Sequence, residues 1–76
     1  MDIRQLFARN LLAAREARGF SQEYLAHEAG LDRTYISSLE RGRYYASLNT
    51  IAKIANVLKV EPAELLAKDE NTATSK

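Results

Sequence analysis

The sequence predicts an all-α domain of five short helices, and three observations carry that expectation. Apolar residues recur at three- and four-residue intervals through most of the chain, no stretch alternates as a strand would, and the apolar runs are separated by glycines, capping Ser or Asp residues and the single proline. Ile3, Phe7, Leu11 and Ala14 set the inward face of a first helix over about Asp2 to Arg18, with Asp2 at the positive end of its dipole and Gly19 stopping it. Ser21 is placed to cap a second helix, Gln22 to Ala29, whose narrow apolar stripe is Leu25, Ala26 and Ala29. Small Ala26 allows another helix to cross closely, and a larger side chain there would pry the two apart. Gly30-Leu31-Asp32 then leads into a third helix, Arg33 to Arg41, with Asp32 as its cap and Ile36 and Leu39 facing inward beside Leu31.

After Gly42 and the loop Arg43-Tyr44-Tyr45-Ala46, Ser47 caps a fourth helix, Leu48 to about Leu58, with Leu48, Ile51, Ile54, Ala55 and Leu58 on one face and Val57 off it. Glu61-Pro62 opens a short fifth helix, Ala63 to about Lys68, because proline is favoured at the first helical position. Residues 1–68 therefore form one domain. The remaining DENTATSK is polar and without hydrophobic period, and is expected to be a disordered tail over 69–76.

A chain of 76 residues has little core to spare, and with no cysteine it has no disulfide or Cys-based zinc site to reinforce it. Association with a second copy is the natural supplement. No apolar run approaches the ~20 residues needed to cross a bilayer, and the N-terminus MDIRQLF has no signal-peptide core, so a cytoplasmic protein without membrane contact is expected. The net charge of +1 says less than its distribution. Residues 1–60 carry nine Lys/Arg against six Asp/Glu, or +3, whereas residues 61–76 carry two against four, or −2. The positive excess belongs to residues 1–60, the part of the chain that contains the second and third helices.

Those two helices, joined by three residues, cannot run antiparallel and must cross steeply, which is the signature of a helix-turn-helix. The third helix presents Arg33, Thr34, Ser37 and Ser38 on the side opposite Ile36 and Leu39. Such a small, donor-rich face fits the major groove of duplex DNA: Arg33 has the fork to meet guanine O6 and N7, Thr34 a methyl for thymine, and the hydroxyls can reach bases or phosphates. His27 has no second ligand at helical spacing, the serines have no adjacent base, and no glycine-rich phosphate loop exists, so no metal, cofactor, small-molecule ligand or catalytic activity is expected.

The linked segments LLAAREARGFSQEYLA and AGLDRTYISSLERGRYYASLNTIAKIANVL, followed by Pro-Glu-Leu-Leu, resemble the phage-repressor-like, Xre-type helix-turn-helix regulators over about Phe7 to Leu66. GLDRTYISSLERG in so short a chain is most similar to the controller proteins of restriction–modification systems. The resemblance implies a lambda-repressor-like fold and a homodimer that binds a roughly palindromic operator in double-stranded DNA and regulates transcription. It also implies backbone contacts by Gln22, at the start of the second helix, and by Tyr35; Arg43, just past the third, should reach the same phosphates. Arg15 and Glu40 correspond to a buried structural ion pair between the first and third helices. Dimerisation through the last two helices is implied, and consecutive Leu65 and Leu66 point in different directions, so that one of them, with Val57, is free to meet the second copy. RNA polymerase is a further partner, which Glu40 could face only if Arg15 does not bury it. Two alternatives stay open: an antitoxin-like protein, and a helical protein-interaction module anchored by Tyr24, Tyr35, Tyr44 and Tyr45.

Overall fold

Capping residues set four α-helices, and the structure, a computed structural model, describes residues 1–68. The helices are α1 (Ile3–Ala17), α2 (Gln22–Ala29), α3 (Arg33–Glu40) and α4 (Leu48–Leu58), followed by a 3-10 turn, Pro62–Leu66. Each helix start is capped, at Ser21, Asp32 and Ser47 as predicted and also at Asp2, which was expected at the first position of its helix. Asp2, Ser21, Asp32 and Ser47 have extended backbones and accept from the N–H groups of Arg4, Tyr24, Thr34 and Thr50 respectively, satisfying donors that a helix N-terminus leaves free. The turn between α2 and α3 is closed by Gly30 at φ 70°, a left-handed conformation that lets the Leu31 N–H reach back to the Ala26 carbonyl at 2.8 Å.

Leu11, Leu25, Ile36, Leu39, Ile54, Leu58 and Leu65 are fully buried and come from every element, so one core holds the domain together. α1 packs on α3 and on the 3-10 turn, α2 packs on α3 and α4, and α4 packs on the 3-10 turn. Ala26, 2% exposed, sits in this core, as expected of a small residue at a close crossing. Gly42 matters for the same reason: at φ 72° it turns the chain after α3, and an added Cβ would lie 3.6 Å from Gln5 Cγ and 3.7 Å from the Arg4 carbonyl oxygen. The end of α3 is thereby laid against the first turn of α1.

Three expectations are corrected. The fifth helix, expected to run to about Lys68, is a 3-10 turn that ends at Leu66: Ala67 is already extended, and the side-chain amide of Asn10 donates to the carbonyls of Leu65 (3.0 Å) and Ala67 (2.8 Å). These are carbonyls that a helix ending near Lys68 would leave without an intrahelical partner, and Asn10 supplies their donor from α1. Leu48, expected inside, is 83% exposed, and Ile3 is 52% exposed. Both stand at helix starts, one turn before the buried stripes begin; these run through Leu6, Phe7, Ala8 and Leu11 in α1 and through Ile51, Ile54, Ala55 and Leu58 in α4. Third, Leu65 is 1% exposed and belongs to the monomer core, so it has no surface to offer a second copy. The expected tail, 69–76, lies outside the described residues.

Lys59 ends α4 in the left-handed conformation at φ 60°, the one non-glycine residue to do so among those described. An L-residue there carries about 1 kcal/mol or more of steric strain. Lys59→Gly is expected to raise the unfolding free energy by about 0.5 to 1 kcal/mol, the relief being partly offset by glycine's greater freedom when unfolded. A urea titration with a higher midpoint and an unchanged slope would show it; a lower midpoint would refute it.

Candidate nucleic-acid interface

α3 is an eight-residue helix with two faces. Ile36 and Leu39 are completely buried, while Arg33 and Thr34 are exposed and Ser37 and Ser38 are partly exposed on the far side. All four residues predicted to contact bases thus share one outward surface. Among the described residues the ion pairs are Arg4–Asp2 and Arg15–Glu40, so Arg33 and Arg43 are both unpaired cations. At the first position of α3, Arg33 places its charge where the helix dipole disfavours it, which an external anion or guanine acceptor would correct.

Arg41 belongs to the same surface and was not singled out by the sequence pattern. It lies four residues beyond Ser37 and its Nη2 donates to the Ser37 hydroxyl at 3.0 Å, leaving the Ser37 O–H free as a donor. The i, i+4 spacing of Ser37 and Arg41 was the available signal. Tyr35 is partly buried and its ring is tilted against that of Tyr44, with centroids 6.5 Å apart. Tyr45 instead lies under the Arg4 guanidinium, 4.7 Å from ring to Cζ, so the two consecutive tyrosines splay toward α3 and α1.

Arg15 and Glu40 form the expected pair. Arg15 Nε and Nη2 donate to the two carboxylate oxygens at 2.6 and 2.9 Å, and Arg15 Nη1 donates to the Phe20 carbonyl at 2.7 Å. The hydrogen bonds to Glu40 raise the Arg15 pKa above its usual value, and the side chains are only 12% and 5% exposed. Gln22 joins them, its Nε2 donating to Glu40 Oε1 at 2.9 Å. A single carboxylate therefore ties α1, α2 and α3 together. With three donors on it and almost no exposed surface, Glu40 is not open to RNA polymerase, which removes that expected role.

On another side of the molecule, an apolar cleft of about 200 Å³ opens between α1, the tyrosine loop and α4, with Ile3, Tyr45, Leu48 and Leu66 around it. Leu66 is partly buried at its edge. Val57 packs partly against the core and, nine residues after Leu48, lies about half a turn round α4 from it. Val57 and Leu48 therefore cannot belong to one flat contact. Among the described residues no helix is long and apolar enough to cross a membrane, and no three His, Cys, Asp or Glu side chains are grouped to hold a metal.

Comparison with known proteins gives a consistent answer. A family profile described as HTH_3, helix-turn-helix, matches residues 11–65. A Neisseria hypothetical transcription factor from Neisseria meningitidis serogroup B is 45% identical over 86% of this chain, which spans 61% of that relative's length. Control protein C.BamHI of Bacillus amyloliquefaciens is 46% identical, over 86% of this chain and 82% of its own. The crystal structure of the restriction–modification controller protein C.AhdI from Aeromonas hydrophila superimposes with a TM-score of 0.79 at 45% identity, covering 82% of this chain and 94% of that one.

Proposed function

We propose that this chain, which belongs to the HTH_3 helix-turn-helix family and is a DNA-binding regulator and not an enzyme, works in the cytoplasm as a homodimeric controller of transcription of the restriction–modification type. One observation carries the reading: the outward surface of α3 is small, hydroxyl-rich and cationic, and its two arginines at the ends, Arg33 and Arg41, have no acidic partner among the described residues. A groove reader needs such a face, since bulk or negative charge would hold it off the duplex. In this reading Arg33, Thr34, Ser37 and Ser38 meet bases, and Gln22, Tyr35 and Arg43 meet the sugar-phosphate backbone.

The second copy covers the apolar surface of Ile3, Tyr45, Leu48 and Leu66. In this assignment Leu66 keeps its place in the interface, Leu65 and Val57 leave it, and Leu48 becomes its centre. A twofold pair presents two recognition helices to successive major grooves, so the operator is roughly palindromic, with half-site centres about 10 base pairs or ~34 Å apart. RNA polymerase, if this regulator recruits it, must be met by residues other than Glu40.

Gel shifts against the DNA immediately upstream of the coding sequence, run beside random duplex at two salt concentrations, test the reading. Arg33→Ala is expected to cost about 1 to 3 kcal/mol on the operator and to relax preference at one base per half-site. Arg43→Ala should weaken operator and random DNA about equally and flatten the salt dependence by about one charge for each copy. Equal losses on both DNAs for both variants would refute this division of labour, and binding that ignores salt would refute DNA as the partner.

A further inference from the structure

We propose that Glu40 is a positioning residue for DNA contact: its Oε1 holds the Gln22 carboxamide in one orientation, with one N–H committed to Glu40 and the other left for a backbone phosphate. The inference rests on the DNA-binding reading above and extends it to a residue that makes no contact with DNA itself.

The chemistry fixes the orientation. An ionised carboxylate only accepts, so the Gln22 group 2.9 Å from Glu40 Oε1 is the amide nitrogen and not its oxygen. Both carboxylate oxygens are already held by Arg15, at 2.6 and 2.9 Å, and Glu40 is 5% exposed, so the acceptor is rigid. Gln22 is the first residue of α2, where backbone N–H groups lack intrahelical partners, and the Ser21 hydroxyl accepts only that of Tyr24. The held carboxamide adds an oriented side-chain donor to them. Paired with Arg15, the Glu40 charge is neutralised within the protein, so it does not repel the phosphate that Gln22 awaits.

The three residues are separable. Without Gln22, Glu40 keeps both bonds from Arg15, so Gln22→Ala leaves no buried charge unpaired and should unfold within a few degrees of the unaltered chain. Its duplex affinity should nevertheless fall about ten- to a hundredfold, the loss expected for one hydrogen bond to a charged group, and by the same factor on any sequence. The decisive experiment is a double-mutant cycle read as affinity for a fluorescent mixed-sequence duplex at fixed salt. Arg15→Met/Glu40→Leu replaces the ion pair with apolar volume, an exchange that folded proteins often accept, and removes the acceptor for Gln22.

In that background Gln22→Ala should have less than a twofold effect, because an unheld carboxamide contributes little. An equal loss in both backgrounds overturns the proposal while leaving DNA binding intact. No duplex binding by the unaltered chain overturns the proposal and the DNA reading together. A second measurement needs no folded double variant. The Gln22 side-chain amide of the unaltered chain should give NMR signals displaced from free glutamine, one of which moves when duplex is added; signals at the free-glutamine position would overturn the proposal.

Discussion

Glu40→Ala is expected to lower the unfolding free energy by about 3 to 5 kcal/mol, because it leaves the Arg15 guanidinium largely buried without its counter-charge. The bonds at stake are short and well directed, 2.6 Å from Nε and 2.9 Å from Nη2, and the carboxylate also takes the Gln22 amide. All three helices of the DNA-reading half meet on it. In a domain this small, total stability rarely exceeds about 3 to 5 kcal/mol, so the variant should be mostly unfolded near room temperature, or melt some tens of degrees lower. Circular dichroism against temperature reads this directly. A midpoint within about 3 °C of the unaltered chain would show that Arg15 finds water and that the pair is structurally idle. The intact pair is not thereby a large net stabiliser: exchanging both residues for apolar ones of similar volume should cost far less than removing either.

The ion pair was legible before the structure through the family resemblance, which implies it for Arg15 and Glu40. The caps at Ser21, Asp32 and Ser47 were legible because each precedes an apolar period, and short-range chemistry of that kind does not depend on the rest of the fold. What the pattern missed is what tertiary contacts decide. Nothing local tells that Asn10 holds the carbonyls of Leu65 and Ala67 from 55 and 57 residues away, so a helix to about Lys68 was expected where a 3-10 turn ends at Leu66. The same holds for Gln22. Its position at a helix start was visible, but its bond to Glu40 is set by how α2 and α3 pack. Leu48 was misplaced by a subtler fault: at the first position of α4 it fits the helical period, yet no neighbouring element reaches far enough to cover it.

That uncovered leucine makes the second large effect predictable. Leu48→Glu is expected to leave the monomer folded, since a side chain 83% exposed loses little packing and surface substitutions usually change stability by less than about 0.5 kcal/mol. In a twofold contact each side chain is used twice, and burying a leucine contributes about 1.5 to 3 kcal/mol, so the pair contributes about 3 to 6 kcal/mol. The dimer should therefore dissociate about 10² to 10⁴ times more readily, with like-charge repulsion between the two glutamates added to the loss. DNA affinity should follow, although Leu48 lies on the cleft with Ile3 and Leu66 and not on α3. A linked pair of half-site contacts binds far more tightly than either alone, so separating the copies should weaken operator binding by a similar factor while leaving single-site, random-duplex binding nearly unchanged. Sedimentation equilibrium and a gel shift on the same samples distinguish the outcomes. Monomers with operator affinity lost place the second copy on this surface, and a dimer of undiminished strength moves the interface elsewhere, with the flank of α4 that carries Val57 the next to be altered.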